Sequence, residues 1–160
     1  MTEPVLKVFL KDGAKMPVYA HEGDSGLDLA STESLTLLPF RRYFVDTGVH
    51  VELPAGCEAH VRPRSGGNKK GLHIAYGTVD GPYRGPVGVV VYWMPNLTVR
   101  GDGVLTIDPN EPAVRFIESG DRIAQLVISQ VVTVEPRQVS AQSELSDTTR
   151  GEQGWGSSGR

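Results

Sequence analysis

Glycine and proline recur along the whole chain and divide it into short segments. The 160 residues include 19 glycines and 11 prolines, scattered from end to end. Because these residues mark turns and interrupt regular elements, long helices are disfavoured. The sequence therefore predicts many short strands joined by turns, and its length suits one domain.

The composition restricts the kinds of ligand that the chain can bind. Apolar residues make up 39% of the sequence, enough for a core, and the formal net charge is -3. No overall positive field attracts nucleic acid, so an anionic ligand would need a few well-placed arginines. No apolar run approaches the ~20 residues of a membrane span. We expect neither nucleic acid nor a membrane as partner.

The cysteine and histidine content argues against a disulfide framework and a transition-metal site. Cys57 is the one cysteine, which indicates a reducing compartment, and we expect the cytoplasm. The segment 1–10 contains Glu3 and Lys7 and does not fit a signal peptide. The four histidines show no zinc-binding spacing.

Short apolar or alternating segments predict a succession of strands. The pattern is clearest at 49–53, where Val49, Val51 and Leu53 share one face and His50 and Glu52 the other. Residues 97–108 predict a hairpin around Gly101-Asp102-Gly103. The other predicted strands are 5–10, 16–20, 35–38, 43–46, 57–61, 86–94, 113–117, a strand entered after Gly120, and 131–134.

The segment 77–85 combines a tight turn with polar side chains. Gly81-Pro82 forces a turn, with Asp80 just before it and Tyr83 and Arg84 just after it. A buried strand is predicted to follow at 86–94. A rigid scaffold can present side chains to a ligand in this way. A solvated hairpin tip is the alternative.

Three further features suit an anionic ligand. Residues 62–71 contain two arginines, two lysines and successive glycines, so guanidinium groups and backbone N–H groups could bind phosphate oxygens. Asp28 lies between two leucines and should face away from the core, towards a cleft or a cation. Gln125 is the polar residue of an apolar stretch. The alternatives are a solvated basic turn, an ordinary surface aspartate and a satisfied core amide.

The last part of the chain changes character. Residues 138–160 are polar and predict a flexible tail, so we divide the chain into a β domain at 1–136 and an arm at 137–160. Trp155 stands between glycines, which suits a flap that closes on a flat ligand while Arg150 reaches an anion. An ordinary tail is the alternative.

Five segments, in this order, resemble the motifs of the trimeric dUTPases, the deoxyuridine triphosphate nucleotidohydrolases. One such motif would be weak, but five in order are specific, and the resemblance covers nearly the whole chain. The motifs are Ser25-Gly26-Leu27-Asp28-Leu29, Pro63-Arg64-Ser65-Gly66, the segment 77–85, Gly120-Asp121-Arg122-Ile123-Ala124-Gln125, and the segment 150–159.

The resemblance implies an all-β, distorted jelly-roll subunit of the β-clip type in a homotrimer with shared active sites. It also implies hydrolysis of dUTP to dUMP and pyrophosphate with Mg²⁺. That reaction limits uracil incorporation into DNA and supplies dUMP for thymidylate synthesis.

The resemblance also implies roles for the matched residues. Asp80 would activate the attacking water, and Asp28 would help to hold the metal ion through water. Tyr83 would pack against the deoxyribose, Arg150 would reach the terminal phosphate, and Trp155 would stack on the uracil. The full set of substrate-binding positions is Arg64, Ser65, Gly66, Gly77, Thr78, Val79, Tyr83, Gln125, Arg150, Trp155, Gly156 and Ser157.

Some features depart from the family pattern. The segment 66–77 is shorter than usual, and Tyr76 occupies a position where a smaller or stiffer residue is common. Residues 97–112 resemble an insertion, and Trp155 replaces the usual phenylalanine. The alternatives are a dCTP deaminase, which shares this kind of fold, and a non-catalytic module that regulates a partner.

Overall fold

Short strands dominate the structure, a computed structural model that describes residues 4–152. Their bounds are β1 Lys7–Leu10, β2 Leu27–Ala30, β3 Leu35–Leu37, β4 Arg42–Glu52, β5 Cys57–Pro63, β6 Leu72–Ile74, β7 Gly77–Val79, β8 Pro86–Trp93, β9 Leu97–Val99, β10 Leu105–Ile107, β11 Arg115–Ile117 and β12 Arg122–Gln130. One short helix, α1 Ser65–Lys69, and one 3-10 helix, Gln142–Glu144, complete the described elements. No helix within 4–152 is long and apolar enough to cross a membrane.

The strands form two antiparallel four-stranded sheets. One sheet has the order β1-β4-β8-β6 and the other the order β2-β12-β5-β7. Two ribbons, β3 with β11 and β9 with β10, add to them. The all-β, jelly-roll fold expected from the sequence is confirmed.

Alternating side chains build one core between the two sheets. Along β8, Val87, Val89, Val91 and Trp93 are buried while the residues between them are partly exposed. Leu126 of β12 joins the same cluster from the other sheet. Burial of one face is the reason that a period-two pattern specifies these strands.

Strand β4 is longer than predicted because a bulge joins two segments that the sequence analysis had separated. Its pairing with β8 shifts register between Asp46 and His50, and Gly48 between them has φ of 64°. The hydroxyl of Thr47 donates to the carbonyl oxygen of Val87, which ties the bulge to β8. An extra residue with positive φ bends a strand without ending it.

Three other predictions about elements need correction. Residues 131–134 do not extend the sheet, because β12 ends at Gln130. The segment 16–20 makes a single bridge, between Val18 and Asp28, instead of a strand. The basic segment 62–71 contains helix α1 as well as loop. By contrast, the predicted hairpin at 97–108 is present as β9 and β10.

Candidate active site

Three neighbouring strands bring the predicted anion-binding residues to one place. On β12, Gln125 lies opposite Asp28 of β2 on one side and Arg62 of β5 on the other. Strand β5 ends at Pro63, so Arg64 and the start of α1 follow directly beside Gln125. Sheet register therefore assembles residues that are up to 97 positions apart in the sequence.

These residues line a cavity of about 600 Å³, here named the Asp28 cavity. Five of the predicted site residues are in its wall, namely Asp28, Arg64, Ser65, Gly66 and Gln125. The remaining wall comes from Ala20, His21, Asp24, Ser25, Gly26, Pro63 and Asn68.

Asp28 forms ion pairs with two arginines. Its Oδ1 accepts from Nε of Arg64 at 2.7 Å, and its Oδ2 accepts from Nη1 of Arg122 at 2.9 Å. Only 9% of the Asp28 side chain is exposed, whereas Arg122 is 56% exposed. Each guanidinium has five N–H groups, so both arginines retain donors for an anionic ligand. The carboxylate thus fixes Arg64 in the cavity wall and holds Arg122 beside that wall.

Gln125 is held in place by its neighbours. Its Nε2 donates to the carbonyl oxygen of Pro63 at 2.9 Å. A Cβ at Gly26 would lie 2.6 Å from Oε1 of Gln125, so glycine is the residue that leaves room for this amide. The backbone of the first motif is therefore shaped around the amide side chain.

Asp80 lies on a different part of the sheet, in the turn after β7. Val79 of β7 pairs with Ala59 of β5, and the N–H of Tyr83 donates to the carbonyl oxygen of Asp80 at 3.0 Å. Nη1 of Arg84 donates to the carbonyl oxygens of Gly81 and Tyr83, each at 2.7 Å. These bonds fix the turn, while Asp80 itself is exposed. The segment 80–85 is called the Asp80 turn below.

Tyr83 and His50 attach the Asp80 turn to the scaffold. The hydroxyl of Tyr83 donates to the carbonyl oxygen of Pro86 at 3.1 Å, and any side chain at Gly85 would collide with the Tyr83 ring. Nδ1 of His50 donates to the carbonyl oxygen of Arg84 at 2.9 Å. The turn is thus anchored to β4 and β8.

The Asp28 cavity and the Asp80 turn lie at opposite ends of β5. Val79 pairs with Ala59 in an antiparallel ladder, so Asp80 comes level with Glu58, and Arg64 lies six residues further along the chain, just past the end of β5. At about 3.3 Å per residue, Asp80 and Arg64 are roughly 20 Å apart along the strand. One chain does not bring Asp80 and Arg64 to the same reacting centre.

The other predicted residues are distributed as follows. Gly77, Thr78 and Val79 form β7, an edge strand that pairs with β5 alone in its sheet. Arg150 is exposed and is not part of the Asp28 cavity wall. Trp155, Gly156 and Ser157 lie outside the described residues.

Sequence reasoning assigned no role to Arg122 or His50. Arg122 stands inside a matched motif, but its partner Asp28 lies on another strand, and only the β2–β12 register brings them together. His50 was predicted to lie on the face opposite Val49 and Val51, which is correct. Its bond to the Arg84 carbonyl oxygen needs the β4–β8 pairing, which the pattern did not show. Arg122 was the charged residue of a matched motif to which no role had been assigned, and this could have marked it as a site residue.

The pattern characteristic of the dUTPase family matches residues 12–101 and 104–159. The chain belongs to the dUTPase family. The match leaves out residues 102 and 103 but includes the rest of the 97–112 segment, which the sequence analysis had interpreted as an insertion.

Curated dUTPases and solved dUTPase structures resemble this family member over nearly all of its length. It is 38% identical to a deoxyuridine 5'-triphosphate nucleotidohydrolase of Clostridium tetani, covering 100% of both chains, and 40% identical to that of Mycobacterium bovis, covering 99% and 97%. The G164S mutant of the dUTPase of Staphylococcus bacteriophage 80alpha, solved with dUpNHpp, has a TM-score of 0.82 at 32% identity, covering 98% of this chain and 99% of that one.

Proposed function

We propose that this dUTPase-family chain hydrolyses dUTP to dUMP and pyrophosphate. The observation that carries the proposal is the Asp28 cavity, where Asp28, Arg64 and Gln125 converge from three matched motifs. The relatives are named as enzymes of this activity, and a phage relative was solved with dUpNHpp. The side chains available in the cavity suit a triphosphate.

Binding of the triphosphate needs local positive charge, because the chain carries a net charge of -3. Arg64 in the wall and Arg122, which Asp28 holds beside the wall, supply that charge. The Ser65 hydroxyl and the Gln125 amide add neutral polar contacts. Neutralising the phosphate oxygens lowers the repulsion that an attacking water meets. The Asp28 cavity therefore binds the phosphates, while the uracil base binds elsewhere.

The residues present fit a Mg²⁺ ion that arrives with the nucleotide. Within residues 4–152, no three His, Cys, Asp or Glu side chains cluster as a complete metal site. Mg²⁺ commonly uses one or two carboxylates together with substrate phosphates and water. Asp28, whose oxygens face Arg64 and Arg122, would hold the ion through water. When bound, Mg²⁺ would add positive charge at the phosphates. A relative from phage phi11, 29% identical to this chain, was solved with a structural Mg(II) ion.

Asp80 is the proposed general base. It is an exposed carboxylate on a turn fixed by one backbone hydrogen bond and by two that the Arg84 side chain donates to backbone carbonyl oxygens. It takes a proton from the water that attacks the α-phosphorus; the bond to the bridging oxygen breaks, and pyrophosphate leaves. A positioned base typically contributes 10²–10⁴-fold to rate.

Selection of a deoxyuridine nucleotide falls to the strand and turn around Asp80. Strand β7 is an edge strand in the described sheet, so backbone groups of Gly77, Thr78 and Val79 can meet the uracil edge. A wrong base leaves a buried backbone group unpaired, at about 1–3 kcal/mol per group. Tyr83, held over Gly85, packs against the sugar where a 2′-hydroxyl would need space.

The separation along β5 supports a homotrimer with shared active sites. A complete site needs both Asp80 and Arg64, so the Asp80 turn of one subunit meets the Asp28 cavity of another. Large apolar side chains that are exposed in the single chain also suit an assembly. Among them Phe44 is 64%, Phe116 64% and Val132 85% exposed.

The arm at 137–160 completes the proposed site. Arg150 reaches the terminal phosphate, and Trp155 with Gly156 and Ser157 closes over the uracil. The β domain at 1–136 carries the other motifs. We place the enzyme in the cytoplasm, because its one cysteine, Cys57, is unpaired.

Parallel assays with dUTP and dCTP test this function. Pyrophosphate release from dUTP without ammonia release from dCTP is the expected result. Ammonia from dCTP would instead indicate a deaminase, and neither product would indicate a binding module.

A further inference from the structure

A second cavity lies on the other side of the segment that carries Arg64. It has a volume of about 350 Å³ and shares Arg64 and Gly66 with the Asp28 cavity. We name it the Arg115 cavity, after an arginine that lines this cavity and not the Asp28 cavity. Its other walls come from Gly67, Lys70, Leu72, Phe116, Ile117, Asp121, Arg122 and Ile123.

The Arg115 cavity is strongly basic in an acidic protein. Its lining residues include four cations, Arg64, Lys70, Arg115 and Arg122, and one carboxylate, Asp121. The wall therefore carries four positive charges and one negative charge. Even when Asp28 is counted, because it pairs with Arg64 and Arg122, two positive charges remain in excess. The whole chain has a net charge of -3, so this excess is local.

Two of these cations lack partners in the part of the chain that the structure describes. Nε of Arg115 is buried and has no hydrogen-bond acceptor. Lys70 forms no ion pair within 4–152, and Oδ2 of Asp121 accepts instead from the N–H of Glu118 at 3.0 Å. A buried donor without an acceptor is unfavourable. An external acceptor group in the cavity would satisfy it.

We propose that the Arg115 cavity is a second anion site and that its occupant is inorganic pyrophosphate. Guanidinium forks and an ammonium group suit phosphate oxygens. The excess charge favours an anion with more than one negative charge. The choice of pyrophosphate rests on the proposed function, because that anion would be released on the other side of Arg64; the anion site itself rests on the cavity alone.

Arg64, which lines both cavities, would connect the two sites. Nε of Arg64 is bound to Asp28, and its Nη1 donates to the carbonyl oxygen of Arg122 at 3.2 Å. Three of the five N–H groups of Arg64 remain for an anion, and the residue lines both cavities. An anion in the Arg115 cavity would draw Arg64 and Arg122 away from a triphosphate. Pyrophosphate should therefore inhibit dUTP hydrolysis in a mixed rather than purely competitive manner.

Calorimetric titration of the assembled protein with pyrophosphate, without metal or nucleotide, tests the site. The parent protein should show two binding events per chain. The variant with both Lys70→Gln and Arg115→Gln should show one event. Arg137→Gln, an exposed arginine outside both cavities, is the matched control and should keep two events.

A single variant protects the test against misfolding. Lys70 is exposed, so Lys70→Gln should preserve the fold and weaken the second event by about tenfold, the usual effect of losing one charged contact. Orthophosphate should bind the Arg115 cavity about tenfold more weakly than pyrophosphate, since it makes fewer charge-assisted hydrogen bonds.

Specific results would overturn the proposal. One event in the parent protein, or two events in the double variant, would remove the second site. Equal affinity for orthophosphate would remove pyrophosphate as its occupant. A loss of assembly in sedimentation without a change in anion binding would show that the cations serve a carboxylate of another subunit. Because no nucleotide is present, each of these results leaves the hydrolysis proposal intact.

Discussion

Nε of Arg64 donates to Oδ1 of Asp28 at 2.7 Å, and this contact joins the segment after β5 to strand β2. Asp28 has a second partner, Arg122, on β12. The carboxylate is nearly buried, so removal of one arginine would leave its charge only partly compensated. The three side chains therefore act as one positioned unit at the cavity wall.

The variant Arg122→Gln should lower kcat/KM for dUTP by about tenfold. A hydrogen bond between charged groups is worth about 1.5–3 kcal/mol, but Arg122 is 56% exposed and solvent reduces its contribution. Steady-state kinetics measure the effect, with Arg137→Gln as the control. A value within twofold of the parent would contradict a role for Arg122 in positioning Asp28 for phosphate binding.

The variant Asp80→Asn should bind nucleotide normally but turn over at least ~100-fold more slowly. The amide keeps the shape of the side chain and cannot accept the proton. Binding of a non-hydrolysable dUTP analogue and single-turnover kinetics separate the two effects. Turnover within a few-fold of the parent would remove Asp80 from the role of base.

Mixing two inactive variants should restore activity. If Asp80 and Arg64 serve one site from different subunits, chains with Asp80→Asn and chains with Arg64→Gln can combine into intact sites. Random assembly into symmetric trimers gives roughly a quarter of sites with both residues intact. The assay follows pyrophosphate after unfolding and refolding the mixture. No recovery despite mixed trimers would place Asp80 and Arg64 of one chain in the same site.

Deletion of 150–160 should remove most of the activity, whereas Trp155→Phe should remain active. Base–aromatic stacking is worth about 1–3 kcal/mol, and either ring can supply it. Emission from Trp155 should change on adding a non-hydrolysable dUTP analogue with Mg²⁺, and change less with dUMP. Trp93 is fully buried in the core, so it should contribute a constant background. A fully active deletion variant would show that the arm has no role in turnover.

The variant Asp46→Asn should destabilise the fold at neutral pH but not in acid. The Gly48 N–H donates to Oδ1 of Asp46 at 2.9 Å and Lys11 to Oδ2 at 3.3 Å. The pKa of the Asp46 carboxyl is below its ordinary value of 3.8. The hydrogen bond from the Gly48 N–H is the largest cause, and Lys11 lowers the pKa further.

Stability that depends on a lowered pKa is present above the unfolded value and is lost as the pH falls through the folded one. We expect a loss below about 1 kcal/mol at pH 7, because the site is partly exposed. Urea unfolding at several pH values and fixed protein concentration measures it, with Asp12→Asn as the control. An equal difference between parent and variant at pH 7 and in strong acid would contradict this explanation.

Periodicity predicted most of the strands. It did not predict which apolar segments would pack in the sheets and which would stay exposed in the single chain. Val131 to Val134 read as a strand, yet β12 ends before them and Val132 is 85% exposed. Sequence pattern alone cannot tell whether such residues pack within the chain or against another. Strands β6 and β7 were missed because three residues carry no recognisable period. Helix α1 was missed because Gly66 and Gly67 disfavour helix.

The motifs predicted which residues form the candidate site. They did not predict the ion pairs and strand pairing that connect those residues. The convergence of Asp28, Arg64 and Gln125 follows from the family resemblance and is present in the Asp28 cavity. The pairing of Asp28 with Arg122 depends on strand register, which a list of motifs does not contain. The single chain also leaves Asp80 at the far end of β5, which sequence order could not reveal.

The length of β5 has a consequence for how activity would appear as the protein is made. The Asp80 turn lies at one end of β5 and Arg64 beyond the other. If the proposed trimer shares its sites, a newly synthesised chain carries two halves that belong to different sites. Such a chain could fold fully and still hydrolyse nothing until it met its partners. Specific activity would then fall on dilution while the circular dichroism signal stayed constant, and catalysis itself would report the assembly state.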